Sequence, residues 1–410
     1  MSSMHDVIVV GARCAGAATA LLLARQGHRV LIIDQDRFPS DMRLSTHLVW
    51  HAGADLLQKW GVLDGVRASL CPALTQFSLD LGELVLRGDP PGAKVGAAFA
   101  PKRIVLDQVL LDAAVAAGAE LREGVLFDDV LREGERVVGI TAKNPDGSVM
   151  TERARWVVGA DGRHSRVARS VGSTTYHEFA KEDGSLNTFA YFSGVPLRGV
   201  EFISRPQRMA YAWQTNDDQV LAGIILPGTS PRVARQDTEA HFFAELEAMS
   251  PDLAARLRAG QREEDWISTG VNTFCRQPAG PGWSLVGDAG LTVDPITAAG
   301  ITNALRDADL LADLLHQGLS AQRDLDDAMA EYAPRRDAVS VPLHLFSQNM
   351  AKLAPPTDEV VQLFTGLGQD QAQADRYFGV FGQTVSPNDF FSEENLRKIA
   401  ASAAPSAVSA

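Results

Sequence analysis

Cysteine is scarce in this chain, with only Cys14, Cys71 and Cys275 among 410 residues. None of them falls at the C-x-x-C type of spacing that a metal centre needs, so the reading is three free, buried thiols, which suits a reducing cytoplasm. Positive charge is also in short supply. Lys and Arg number 38 against 51 Asp and Glu, a net charge of −13. That balance argues against a general affinity for nucleic acid or anionic membrane, while local basic sites stay open. Long apolar runs are missing too. The longest near the start, Cys14 to Ala24, is bracketed by Arg13 and Arg25 and falls short of the ~18 residues of a membrane span. Residues 1 to 24 imitate a secretory signal, yet no Lys or Arg precedes Val7 and Asp6 stands where one is expected, so we read the stretch as mature structure. No internal repeat is visible. What remains is an ordinary globular composition, 45% apolar and 22% charged. At roughly 150 residues per domain, this gives two or three domains, or one large nucleotide-binding domain with insertions.

Periodicity then gives an order of elements. Asp6 to Val10 is an apolar β-branched run, followed by Gly11-Ala12-Arg13-Cys14-Ala15-Gly16, a helical stretch to Gln26, a stop at Gly27 and a second apolar strand ending at Asp34. This is a β-turn-α-β unit. Ser45 and Thr46 are expected to cap a helix running toward Trp60, with Gly61 as its stop. Helical spacing recurs from Val105 to Ala117. Three strands follow near 125–131, 136–142 and 149–158, joined by turn formers. Residues 173 to 228 read mostly as strands, a helix is expected near Thr238 to Met249, and two more strands near Trp266 and Phe274. From about Thr297 onward the chain reads as helical.

Three segments carry chemistry. A dinucleotide turn wants one glycine for the bend, a second for close approach of pyrophosphate and a third for helix packing. Gly11 and Gly16 fill the first and third places, Arg13 replaces the second, and Ala15 lies in the same turn. Asp34, 18 residues after Gly16, suits a ribose hydroxyl and would repel a 2′-phosphate. The second segment is Gly159-Ala160-Asp161-Gly162-Arg163-His164-Ser165, where an Asp that merely caps its own loop is the plain alternative. The third is Gly287-Asp288-Ala289, where a loop-capping Asp is again the plain alternative, and it leads through Asp294-Pro295-Ile296-Thr297-Ala298-Ala299-Gly300-Ile301 into a helix.

In order and separation, these segments resemble the three fingerprints of single-component FAD-dependent monooxygenases of the para-hydroxybenzoate hydroxylase type, over Asp6 to about Tyr332. The resemblance implies an α/β fold: a Rossmann-like FAD-binding domain of parallel sheet plus β-meander, with an inserted, mostly antiparallel substrate domain and C-terminal helices. The expected FAD-binding segments are 1–75, 100–172 and 278–335, and the substrate-domain segments 76–99 and 173–277. Helices are expected over 336–399 and a frayed tail over 400–410. It also implies FAD as bound cofactor, NADH or NADPH as transient electron donor, and O2 with a small molecule as substrates. Oxygen would add at the flavin C4a and pass to an electron-rich aromatic or polyketide-like acceptor.

Residue by residue, the resemblance places Asp288 on the ribityl chain and Gly300 and Ile301, with Ala299 and Gly287 beside them, at the flavin and its pyrimidine oxygen. Pro295 lies over the ring, Asp161 supports pyrophosphate or nicotinamide use, and Arg103 and Arg43 reach the cofactor, a plain surface arginine being the alternative for both. His47 is expected near the isoalloxazine, an ordinary loop histidine being the alternative. With His51 and Asp55 it forms an i, i+4, i+8 series that one metal ion cannot bridge, so no metal is expected. Phe189, Tyr191, Tyr211 and Trp213 alternate on two strands, so each pair shares a face, and the resemblance makes that face the roof over substrate, with a plain core cluster as alternative. A flavin-dependent reductase of C=C bonds, similar to geranylgeranyl reductases, stays open because the turns around Arg13 and His47 differ from the best-known hydroxylases. A halogenase is disfavoured for lack of a W-x-W-x-I-P segment, and a non-catalytic FAD-binding protein is the remaining class. A monomer or homodimer is expected.

Overall fold

The computed structural model describes residues 4–403. Its parallel core runs in the spatial order Glu120–Glu123, Val30–Asp34, His5–Val10, Val149–Gly159 and Trp283–Leu285. The central strands, from Val7 to Val10, Val30 to Ile33 and Trp156 to Val158, read as apolar runs because both faces are covered, whereas the edge strand Glu120–Glu123 is polar. Val7, Val9, Val30, Ile32, Trp156 and Val158 pack under helices Cys14–Arg25, Arg103–Ala116 and Gly300–Leu319. Ile8, Val10, Leu31, Ile33 and Val157 face the other way, onto Phe127, Val130, Val137 and Ile140 of the meander. Each such aliphatic side chain contributes about 1.5–3 kcal/mol relative to an exposed one. The meander grows from the same sheet. The first half of Val149–Gly159 pairs antiparallel with Arg136–Lys143, which pairs with Leu126–Glu133, and the second half runs parallel to His5–Val10.

A second eight-stranded sheet is mostly antiparallel, with Ser185–Ser193, Val220–Pro227, Arg208–Gln214 and Val200–Arg205 as its centre. Phe77–Asp80 and Val85–Gly88 join it at one edge, the first of them parallel to Val200–Arg205. Alternation sorts its two faces. Phe189, Tyr191, Phe202, Tyr211 and Trp213 share one face with Trp50 and with Phe378 and Phe381 of the C-terminal helices. Ala190, Phe192, Ala210, Ala212 and Ala222 lie on the other, beneath helices Thr238–Met249 and Pro251–Ala259. The second of those helices is absent from the sequence reading, although Ser250 followed by Pro251 is its start signal, the Ser250 hydroxyl accepting from Leu253 N–H.

Two expectations need correction. Ser45 and Thr46 do not cap a helix: the helix is His51–Lys59, its N-cap is Trp50, and no side chain caps it. The Ser45 hydroxyl instead accepts from the His47 N–H at 3.2 Å. At the other end, helix Glu393–Ala403 runs through the first part of the stretch read as a frayed tail, and residues 404–410 lie outside the described residues. All three cysteines are buried free thiols, as expected. Among the described residues no helix is long and apolar enough to cross a membrane, and no cluster of His, Cys, Asp or Glu could hold a metal ion.

Candidate functional site

The three fingerprint loops leave the ends of three neighbouring parallel strands. Ala160 N–H donates to the Val10 carbonyl at 2.7 Å, and Val286 N–H to the Gly159 carbonyl at 3.0 Å. Glycine is needed where they touch. Gly11 has φ +108°, and a Cβ there would lie 2.4 Å from the Ala160 carbonyl oxygen; one on Gly16 would lie 1.9 Å from the Gly11 carbonyl oxygen. Together the loops enclose a cavity of about 750 Å³, within the usual range of small-molecule sites. Gly11, Arg13, Ala15, Asp34, Arg103, Asp161, Gly287, Asp288, Gly300 and Ile301 all line it.

Helices Cys14–Arg25 and Gly300–Leu319 both begin at this cavity, and neither has a side-chain N-cap. Cys14 N–H is taken by Asp107, but the remaining first-turn N–H groups and the positive dipole ends suit anionic or carbonyl oxygen. Asp34 is partly engaged, accepting from Ala12 N–H at 2.7 Å and Asp36 N–H at 2.8 Å, and burial raises its pKa. Asp288 opens into the cavity, and its carboxylate has no hydrogen-bond partner among the described residues. The enclosing protein pushes its pKa up, against the attraction of Arg103 and Arg163. An unpartnered acid, two helix starts without side-chain N-caps and a tight turn between Gly11 and Gly16 make a donor and acceptor set that suits a flavin dinucleotide, so the residues present fit FAD.

Arg13 explains how the turn works without its middle glycine. Its guanidinium swings away to Asp107 at 3.0 Å and Asp36 at 2.9 Å. Asp107, fully buried, is also gripped by Arg103 through three contacts of 2.9–3.0 Å and accepts from Cys14 N–H at 3.1 Å. Attraction to Asp107 raises the Arg103 pKa despite burial. The sequence reading missed Asp107. Its signal was an acid on the apolar face of a helix, four residues after an arginine.

Other expectations change in detail. Asp161 is occupied by its own loop, accepting from the Ser165 hydroxyl at 2.6 Å and from Arg166 and Val167 N–H at 2.6 and 3.1 Å. The plain capping alternative describes its carboxylate, and the unforeseen Arg163, Arg166 and Arg169 line the cavity beside it. Arg43 turns outward to Glu264 at 3.2 Å, half exposed, and does not reach the cavity. Gly16 and Ala299 sit just behind the lining. His51 packs against Trp50 and Phe77, and Asp55 accepts from Lys94 and Val95 N–H, so neither joins His47.

The far wall is made of His47, Leu48, Asn187, Phe189, Thr269, Val271, Val293 and Pro295. Of the four roof aromatics only Phe189 lines the cavity. Tyr191 bonds His47 Nε2, Tyr211 donates to Asn187 Oδ1 at 2.9 Å, and Trp213 Nε1–H donates to the Thr46 carbonyl at 3.1 Å. Asn187 was not foreseen; its place two residues before Phe189 on the same strand face was the available signal. His47 sits at φ +64°, and burial with Arg103 and Lys102 nearby pushes its pKa down to about 3, so the imidazole is neutral. Asp294 ties its turn to the start of strand Ser185–Ser193, accepting from the Ser185 hydroxyl at 2.7 Å and from Ile296 N–H at 3.0 Å in the turn that presents Pro295.

Residues 4–343 match the FAD binding domain family. The 6-methylpretetramide 4-monooxygenase of Streptomyces rimosus is 27% identical, covering 81% of this chain and 79% of that protein. A digeranylgeranylglycerophospholipid reductase of Methanocella arvoryzae is 28% identical over 82% of this chain and 83% of its own length. Relatives named as halogenases also match. Among solved structures, a flavoprotein/dehydrogenase from Cytophaga hutchinsonii superposes with a TM-score of 0.81 at 18% identity, covering 97% of this chain and 98% of that one.

Proposed function

We propose, from the premise that this chain belongs to the FAD binding domain family and is an FAD-dependent oxidoreductase of the class A flavin monooxygenase superfamily, that it is a monooxygenase. It takes electrons from NADH or NADPH, and places one oxygen atom of O2 on an electron-rich aromatic or polyketide-like small molecule. The observation that carries this reading is the meeting of the Gly11, Asp161 and Asp288 loops around one cavity whose far wall is neutral and partly aromatic.

FAD, when bound, supplies the redox and oxygen chemistry. The chain's part is binding, orientation and exclusion of water. The first-turn N–H groups near Ala15 take pyrophosphate, with Arg103 adding positive charge from the side. Asp34 takes a ribose hydroxyl and Asp288 the ribityl hydroxyls. Gly300 and Ile301 offer N–H groups to the flavin pyrimidine oxygen, where the positive helix end favours negative charge on the reduced ring. Pro295, His47 and Phe189 border the ring and substrate space, and the buried apolar wall keeps water out.

The reductase relative favours a second reading, saturation of a C=C bond without oxygen. One set of measurements separates them. Purified protein is expected to be yellow, and a panel of phenolic and polyketide substrates should include one that accelerates NAD(P)H consumption with stoichiometric oxygen uptake. Anaerobic turnover to a saturated product selects the reductase. Colourless protein that takes up no added FAD overturns both.

A further inference from the structure

Asn187, Phe189 and Tyr191 point from one face of strand Ser185–Ser193, and Tyr211 and Trp213 from the same face of Arg208–Gln214. Phe189 is wall. The two tyrosines have a more specific arrangement. The Tyr211 hydroxyl bonds Asn187 Oδ1, the Tyr191 hydroxyl bonds His47 Nε2, and neither phenol has another hydrogen-bond partner among the described residues. Both phenols are buried, and burial raises their pKa values, so both keep their protons. A buried O–H left without an acceptor costs about 1–3 kcal/mol. Each phenol has one acceptor within reach.

That constraint fixes which hydrogens the two partners have left to donate. Asn187 must give its amide oxygen to Tyr211, which leaves the Nδ2 hydrogens, and these meet no protein acceptor among the described residues. His47 must accept at Nε2, so its neutral ring carries its own proton on Nδ1. His47 Nδ1 is buried without a partner. Both residues line the cavity. The surroundings hold this arrangement in place. A Cβ on Gly223, directly across from Tyr211, would lie 2.3 Å from its ring, so the slot for that phenol depends on glycine. His47 is kept in a left-handed backbone conformation by the Ser45 hydroxyl on its N–H and by Trp213 on the preceding carbonyl.

We propose that Tyr191 and Tyr211 are positioning residues that set His47 Nδ1–H and Asn187 Nδ2–H as hydrogen-bond donors for a carbonyl or phenolate oxygen of the cavity's occupant. This rests on the reading above for what the occupant is, and the same chemistry has two sources, a carbonyl of the flavin or an oxygen of the substrate.

The tautomer is measurable without turnover, by long-range 1H–15N NMR of the 15N-histidine-labelled protein with and without FAD. His47 is expected to carry its proton on Nδ1 and not to titrate between pH 8 and 5. Tyr191→Phe should move the proton toward Nε2. Wild-type His47 protonated on Nε2, or titrating near its ordinary pKa, overturns the proposal, whereas failure to bind FAD would overturn the flavin reading and leave the tautomer result standing. For the donors, 19F NMR of 4-fluorophenol added to the holoenzyme gives the second readout. Tyr191→Phe and Tyr211→Phe are each expected to weaken the probe about tenfold, one neutral hydrogen bond's worth, with FAD affinity within about twofold, which assigns the oxygen to substrate. A tenfold loss of FAD affinity with the probe unchanged supports the donors and assigns the oxygen to flavin. No change in either overturns the proposal.

Discussion

The two ends of the cavity are built from different materials. At the nucleotide end backbone comes to the surface at Gly11 and Gly287 and at two helix starts without side-chain N-caps, packed tightly by Gly16 and flanked by the charged Arg13–Asp107–Arg103 cluster. At the far end it is side chains, His47, Asn187 and Phe189, oriented by tyrosines from a second sheet and carrying no charge. A backbone surface tolerates almost no added atom, while a side-chain surface can be retuned one group at a time. The nucleotide end should therefore fail abruptly on substitution and the far end by degrees.

Gly16→Ala is the severest test of that contrast. Its Cβ would overlap a backbone oxygen at 1.9 Å, which no rotamer change relieves, so at least about 1–3 kcal/mol is lost along with bound FAD. Visible absorbance and thermal melting check it, and a stable yellow variant would break the comparison. Asp107→Asn comes next. Removing the shared carboxylate leaves Arg103 buried without its hydrogen-bonded counter-charge, a loss of about 3–5 kcal/mol of stability, read by urea unfolding, with FAD binding weakened as the Arg13 side chain is released. Asp288→Asn is expected to cost less, because that carboxylate opens on the cavity and holds nothing together in the protein. FAD affinity should fall about 10–100-fold, the worth of a charged hydrogen bond, while the apoprotein's melting temperature stays put.

The same contrast decides what could be read in the sequence. Gly11, Gly16, Asp34 and Asp288 stand out because backbone approach and strand-end position write themselves as residue types at fixed spacings. The alternation of Phe189, Tyr191, Tyr211 and Trp213 was equally legible and gave their shared sheet face. What those side chains touch was not, since Tyr191 to His47 is a contact across 144 residues of chain that no local pattern records. Asp161 shows the converse: its motif was visible, but the bonds to Ser165, Arg166 and Val167 that occupy its carboxylate depend on how tightly the loop closes. The helix start was placed too early because Ser45 and Thr46 have cap chemistry, yet the segment from Thr46 to Trp50 is stapled to Trp213 and Thr302 instead.

His51 sharpens the contrast from outside the cavity. Four residues from His47, it is fully buried with neither ring nitrogen hydrogen-bonded, Nε2 standing 3.8 Å from the Asp89 carboxylate, and burial moves its pKa from 6.5 to about 4, with Asp55 opposing. The unfolded chain therefore binds the extra proton first, and stability falls as pH drops from about 6.5 toward 4, by up to ~1.4 kcal/mol per pH unit. His51→Leu should be neutral or mildly stabilising at pH 7 and should flatten that acid slope, as followed by melting temperature against pH. An unchanged slope would place the acid sensitivity at the other histidines that burial holds neutral, His47, His28 and His344.

Arg43 gives the smallest expected effect and the cleanest check on the neutral wall. It leaves the same loop as His47, but its guanidinium is half exposed and pairs with Glu264 at the surface, an arrangement worth less than about 1 kcal/mol. Arg43→Ala should leave FAD affinity within about twofold and thermal stability nearly unchanged, by flavin fluorescence titration and melting. A tenfold loss of FAD would mean that the 41–45 loop swings inward when the cofactor binds and brings a cation to the far end. The charge difference between the two ends would then belong to the open cavity alone, and the neutral donors His47 and Asn187 would share their task with a guanidinium.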